Sequence, residues 1–379
     1  MIRKSDVQWW VLEAKKHPES APTIIEELAR RLAELDADNE RLRDEIIRLE
    51  RRTPAATDST QVSALERKVA TLQNLLEGET STEPALVLIS DRLQAARMPL
   101  PQAQRLAQEG RPVLATRALL GLRSLLLARP HDELLLLTNQ GHGFKVQPSD
   151  LPVLAEGGDW PSAAGQPPAQ ALAAEERVTA AVAVAEPPRF WTVVTRRGFV
   201  RQFLRIGFDR GIEKGERLVE SPIHNDVPVA AVSGDKGDLL LITRWGKGAR
   251  FPQRAIAGPG SVALELDADD EVVTALSLAS DAVVLIVTAS GHVGRLDTAR
   301  FEGRVRPGGT GKPLIQAYDV LGAFPCEPQA RLLYLTYSGK LVLVSTDNIP
   351  VYERTGKGTL VRDLGRDPAV AVACIPGER

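Results

Sequence analysis

The chain has 379 residues, 43% of them apolar and 25% charged, with 30 glycines and a formal net charge of −2. This is ordinary soluble globular composition. No apolar run nears the ~20 residues that a membrane helix needs. The opening MIRKSDVQWW lacks the apolar core of a secretory signal, and the net charge gives no overall bias toward nucleic acid. Length alone allows two or three domains.

Residues 1–22 read as a short helical segment with a tryptophan pair, Trp9 and Trp10, one ring of which packs against something. From Ile25 to Leu49 the apolar spacing is 3, 4, 3, 4, 3, 4, 3. Ile25, Leu32, Asn39 and Ile46 take heptad position a, and Leu28, Leu35, Leu42 and Leu49 take d. So narrow a stripe predicts a coiled coil over 23–52, and Ile at a with Leu at d favours a parallel pair. Asn39 points the same way, because its amide bonds its twin only when two parallel helices are in register. Arg31 would face Asp36 of a second copy and Asp38 would face Arg43, whereas Glu45 would face Glu50. The alternative is an amphipathic helix packed on its own domain, which usually shows a wider apolar face. Pro54 breaks the helix within a linker over 53–60, and Val62, Leu65, Val69, Leu72 and Leu76 predict a second helix over 61–80.

The remainder, 84–379, repeats one phrase: a short apolar run, a threonine, two more residues, then a glycine. Thr138, Thr195, Thr243, Thr288 and Thr336 hold the threonine place, followed by Gly141, Gly198, Gly246, Gly291 and Gly339. One period upstream, ALVLISDRL puts Ser90 in that place and Leu93 where the glycine would be. A second apolar run follows each phrase, at 122–128, 178–184, 227–232, 272–278, 318–324 and 370–375. The second repeat is long because of an Ala/Pro/Gly-rich excursion at 155–177. Apolar runs without alternation predict strands covered on both faces, and the turn before each glycine predicts a hairpin. Six such units predict an all-β, six-bladed ring. A sandwich and an open solenoid are the rivals.

DELLLLTNQGHGFKVQPSDLP and LLLITRWGKGARFPQRAI resemble the repeats of the C-terminal β-pinwheel domain of DNA gyrase A, a domain that also occurs in topoisomerase IV. The resemblance covers about residues 84–376 and includes the number of repeats. It implies a non-catalytic ring that binds duplex DNA along its rim. Tyr318, Tyr334, Tyr337 and Tyr352 all lie inside the repeats, and none directly follows an arginine, as the family's cleaving tyrosine does. The family's first blade carries a box, glutamine–arginine–arginine–glycine–glycine–lysine–glycine. Here it reads QRLAQEG: Gln104, Arg105 and Gly110 match, while Leu106, Ala107, Gln108 and Glu109 depart. These departures imply a ring that bends DNA without closing a gyrase-like wrap. PGGTGKP at 307–313 lacks the spacing of a phosphate loop. Cys326 and Cys374 form no metal-ligand spacing and read as small buried thiols in a reducing cytosol. No cofactor or metal is expected.

Cations gather just past the turns of repeats 3–5: Arg196, Arg197, Arg201, Arg205 and Arg210; Arg244, Lys247, Arg250 and Arg254; Arg295, Arg300, Arg304, Arg306 and Lys312. Equal phase in a ring predicts equal radius and height, hence a basic arc that suits a phosphate backbone. With Arg105, these are the expected DNA contacts. The bland reading is a solvated outer strand with salt bridges. Residues 261–281 hold six acids and no base. Together these readings predict a cytoplasmic, nucleoid-associated, non-enzymatic homodimer that bends double-stranded DNA without reading its sequence. The alternatives are a protein-interaction scaffold, or an accessory protein whose partner is a type II topoisomerase subunit.

Overall fold

The chain divides into two compact units, residues 1–77 and 78–379. The computed structural model describes Pro22, Ala29, Arg30, Ala33 and Ala37 of the first. Of the second it describes 83–377 except 162–171, 235–236, 280–281, 301–302, 304–305 and 353–355. In the first unit the five described residues are helical and exposed. The eight heptad positions from Ile25 to Leu49, the helix expected at 61–80 and the tryptophan pair lie outside the described residues.

The second unit is mostly β, with six sheets matching the six repeats. In each sheet the phrase forms the central strand: Ala85–Ser90, Glu133–Thr138, Phe190–Thr195, Asp238–Thr243, Val283–Thr288 and Arg331–Thr336. A hairpin leads from it to an outer strand: Ala95–Pro99, Gly143–Val146, Phe199–Leu204, Lys247–Pro252, His292–Asp297 and Leu341–Ser345. The second apolar run pairs with its other edge: Leu122–Ala128, Val178–Val184, Pro228–Ser233, Val272–Leu278, Val320–Pro325 and Ala369–Ile375. These six inner strands neighbour one another in order, and the last packs on the first, which closes the ring.

Why the phrase is apolar throughout follows from this stacking. Successive strand residues point to opposite faces. Leu86 and Leu88 enter the seam with blade 6, whereas Val87 and Ile89 enter the seam with blade 2. The same division recurs at every seam, giving six apolar clusters. Each fully buried leucine contributes about 1.5–3 kcal/mol.

The threonine and glycine have separate duties at the turn. In every blade the register slips at the threonine or serine place, a bulge that re-aims the chain into the hairpin. There Thr195 Oγ1 accepts the N–H of Phe199 at 3.0 Å and Thr288 Oγ1 that of His292 at 3.0 Å. Ser90 does the same for Gln94 at 2.9 Å. The buried hydroxyl satisfies a donor that the bulge would leave unpaired.

The glycine is needed because the next blade crosses it. The segment between outer and inner strands of each blade reaches back, as a strap, to the preceding blade. Residues Ser261–Val262 pair with Val200 and Phe199, Lys312–Pro313 with Gly248 and Lys247, and Thr359–Leu360 with Val293 and His292. The Gly246 carbonyl accepts the N–H groups of Leu314 and Ile315, and Gly291 those of Val361 and Arg362. These glycines have φ of 72° and 91°, and a Cβ at either would overlap a strap carbonyl. The strap of blade 1 closes the ring onto blade 6: Val113 N–H donates to the Gly339 carbonyl, and Pro112 bridges to Lys340.

Among the described residues, three α-helices lie in the straps: α1 (Leu100–Glu109), α2 (Thr116–Leu119) and α3 (Arg205–Glu213). Pro101 opens α1 and Gly110, at φ 64°, ends it. Leu100, Ala103 and Leu106 form its buried stripe, which packs into the seam between blades 1 and 6.

Candidate functional site

Among the described residues, the cations of blades 3–5 do not all face one way. Equal phase fixes where a backbone lies, but alternate strand residues face opposite sides, and the first turn residues of blades 3 and 4, Arg196 and Arg244, turn toward the axis. Arg250 is buried; its Nε donates to Asp238 Oδ2 at 2.7 Å and it also bonds the Thr298 carbonyl. It holds the outer strand in place and is not offered to a ligand. Arg201 lies over the Phe203 ring, 4.9 Å from its centroid. Arg205 pairs with Asp209 at 3.1 Å within α3, and Arg295 donates to the Ile349 carbonyl at 3.2 Å. Lys247 pairs with Asp267, whose hydrogen bond holds the ammonium above its ordinary value. Arg196 and Arg244 line the central channel, where both face Glu271. Thus the acidic tract 261–281 folds back onto cations that stand apart from it in sequence.

Seven of the expected residues are exposed: Arg105 in blade 1, Arg244 at the axis, and Arg197, Arg210, Arg254, Arg306 and Lys312. Arg197 is on the turn of blade 3 and Arg210 in the last turn of α3. Arg254 follows the outer strand of blade 4, and Arg306 and Lys312 belong to the strap laid against that strand. The Arg300 side chain and Arg304 lie outside the described residues.

Each turn of blades 2–6 is also held by an acid just ahead of the inner strand. Asp226 accepts from Arg197 N–H at 2.8 Å, Asp319 from Ser290 N–H at 2.8 Å and Asp367 from Ser338 N–H at 2.8 Å. Asp270 accepts from Trp245 N–H at 3.1 Å, and Glu176 from Thr138 Oγ1 at 2.6 Å. Burial works against the Asp367 carboxylate, yet bonds from Ser338 and Thr336 outweigh it and hold it below the usual range. Glu176 is held low in the same way, with Thr138 and His142 as its partners. The signal was present in the sequence: in blades 3, 5 and 6 the acid and the N–H it caps are 29 residues apart.

Among solved structures, the C-terminal domain of DNA gyrase A matches with a TM-score of 0.61 at 16% identity, over 77% of this chain and 100% of that one. The ring has the fold of the gyrase A C-terminal domain. The C-terminal domain of DNA topoisomerase IV matches with a TM-score of 0.54 at 17% identity, over 78% of this chain and 94% of that one. In sequence the chain is 24% identical to DNA gyrase A of Mycobacterium leprae over 269 residues, 66% of this chain and 21% of that protein. Identity to DNA gyrase A of Salmonella typhimurium is 24% over 336 residues, 85% of this chain and 36% of that protein. The chain therefore spans between about a fifth and about a third of the curated relatives it matches. No family model matches.

On a β-pinwheel of the gyrase A type, the degenerate box falls on α1. Leu106, where the family has its second arginine, is fully buried against blade 6. Arg105 pairs with Glu156 at 2.5 Å and lies 3.9 Å from Glu109, and Arg111 pairs with Glu156 at 3.0 Å. The Glu156 carboxyl is held low first by a hydrogen bond from Gln102, then by these two guanidinium groups against the cost of burial. Both cations beside the box are thus already answered by acids. None of the described helices is long and apolar enough to cross a membrane.

Proposed function

We propose that the chain is a non-enzymatic protein that binds and bends duplex DNA along the outer edge of its ring. The observation that carries this is the gyrase A C-terminal fold joined to exposed cations on the outer parts of blades 3–5. The contact set is narrower than the sequence alone suggests: Arg197, Arg210, Arg254, Arg306 and Lys312, with Arg201 and Lys247 beside them. Such contacts neutralise phosphates and position the protein without reading bases. Two rings would be joined by the parallel coiled coil at 23–52, in the cytoplasm and on the nucleoid. A scaffold that binds a protein partner is the second reading, and the acids that answer so many of the cations favour it.

Duplex DNA binding by the full chain at several salt concentrations tests this. With about 4–6 phosphates neutralised, the log–log salt slope should be roughly −4 to −5. Changing Arg254, Arg306 and Lys312 together to Glu should abolish binding. Unaltered affinity would place DNA elsewhere, and a chain with no salt-dependent affinity at all would leave the scaffold. Sedimentation should give a dimer for the full chain; a monomer would remove the coiled coil.

A further inference from the structure

The axis of the ring carries a feature that the rim does not use. The six inner strands enclose a channel of about 910 Å³. Its wall includes Ala181, Ala230, Ala275, Gly322 and Ala371, and these small residues leave the axis open. Where the inner strands begin, the wall becomes charged. Arg196 and Arg244 directly follow the turn threonines, Arg177 and Glu271 directly precede inner strands, Arg123 is the second residue of the first inner strand, and Asp91 is on the first turn. Among the residues that line it, four cations meet two carboxylates, an excess of two positive charges, while Glu176, Asp226, Asp270, Asp319 and Asp367 stand behind the lining and bond the turns.

The two acids do not silence these cations. Glu271 is shared: Arg244 pairs with it and Arg196 Nε lies 4.0 Å away. Arg177 Nε stands 3.6 Å from Asp91. Arg123 Nε donates to the Thr179 carbonyl at 2.7 Å, and an Arg196 terminal nitrogen donates to the Asn225 carbonyl at 3.0 Å. Arg177 also donates through Nη1 to the Ala174 and Glu176 carbonyls at 2.8 and 2.9 Å. A guanidinium has five donors, and these contacts leave some of them unused at each arginine. The Arg123 guanidinium touches solvent in the channel, yet protein surrounds it. Its proton affinity is lowered first by that desolvation and further by Arg196 and Arg244, against Glu271 and Asp91. The mouth therefore gathers like charges whose repulsion an anion would relieve.

We propose that this mouth is a binding site for a small phosphate-bearing anion. Guanidinium groups match phosphate oxygens in bidentate geometry, and several of them approaching from different blades suit a tetrahedral oxyanion. A doubly charged phosphate group equals the excess of the lining. Duplex DNA is too wide for a lumen walled by six strands, so the site is separate from the rim and does not depend on it.

The test is titration calorimetry of the full chain with inorganic pyrophosphate, ionic strength being matched with sodium chloride. One saturable site per chain is expected. Arg123→Gln with Arg196→Gln should weaken it at least about tenfold, a factor that corresponds to 1.4 kcal/mol. Arg123 belongs to an inner strand, so Arg244→Gln, on a turn, serves as a second variant and should weaken binding as well. Arg254→Gln with Arg306→Gln on the rim should leave the affinity unchanged. Absence of a saturable site, equal affinity in the channel variants, or loss in the rim variant would overturn the proposal. Displacement of the pyrophosphate by a duplex oligonucleotide would overturn it too.

Discussion

Blades 1 and 5 share a hairpin and a bulge but are finished differently. At the turn of blade 5 the strap of blade 6 lies on Gly291, and Asp319 caps the Ser290 N–H. At the turn of blade 1, Leu93 holds φ 66° with a side chain in place, and the Asp91 N–H is answered by the Gly121 carbonyl. The strap of blade 2 bonds Arg97 on the outer strand of blade 1. The turn itself thus tolerates a side chain at positive φ. A passing strap is what demands glycine. Blade 1 in turn supplies a helix, α1, to close the circle.

Substitutions can break this contrast, and the largest effect is expected at the closure. Leu106→Arg would restore a residue of the family's box but bury an unanswered charge. It should cost about 5 kcal/mol or more, read as a collapse of the denaturation midpoint of the ring. Next comes Gly291→Ala, where positive-φ strain and overlap with the Arg362 carbonyl add to about 2–5 kcal/mol. Gly110→Ala sharpens the point: its φ is 64°, but nothing lies within 4 Å of the added Cβ. Only the left-handed penalty of roughly 1–2 kcal/mol is expected there, so similar losses at the two glycines would refute the strap explanation.

Asp367→Asn should cost about 1–2 kcal/mol through its charged hydrogen bonds. Asp367 and Glu176 are held below their ordinary values of 3.8 and 4.5. Their contribution is therefore complete above those values and is lost as pH falls through the lower folded ones. Ring stability should decline below about pH 4, and less steeply in Asp367→Asn; identical pH curves would detach the acid from the turn. Smallest is Arg105→Ala. Its ion pairs are exposed, so a change within about 0.5 kcal/mol is expected in a melting curve.

These comparisons also explain what the sequence discloses. The phrase discloses the ring because both faces of every central strand are buried, which favours apolar residues at nearly every buried position and lets the threonine and glycine stand out. Blade number and inner strands were legible for the same reason. The straps were not: a two-residue strand such as Ser261–Val262 makes its bonds through the backbone and needs no residue pattern. Charge clusters in sequence say nothing about where side chains point. Arg250 went inward, Arg196 and Arg244 went to the axis, and residues 261–281 came back to meet them. Leu106 read as a lost arginine, whereas its burial makes it the anchor of the closing helix.

The straps also bear on how the ring is made. Synthesis delivers the blades in order, but blades 1–5 each wait for a segment of the following blade to cover their outer strand. Folding during translation must therefore run one blade behind the ribosome. The first strap has the longest wait, since Val113 meets Gly339 only after the last hairpin has emerged. Until then the apolar stripe of α1 lacks its partner on blade 6.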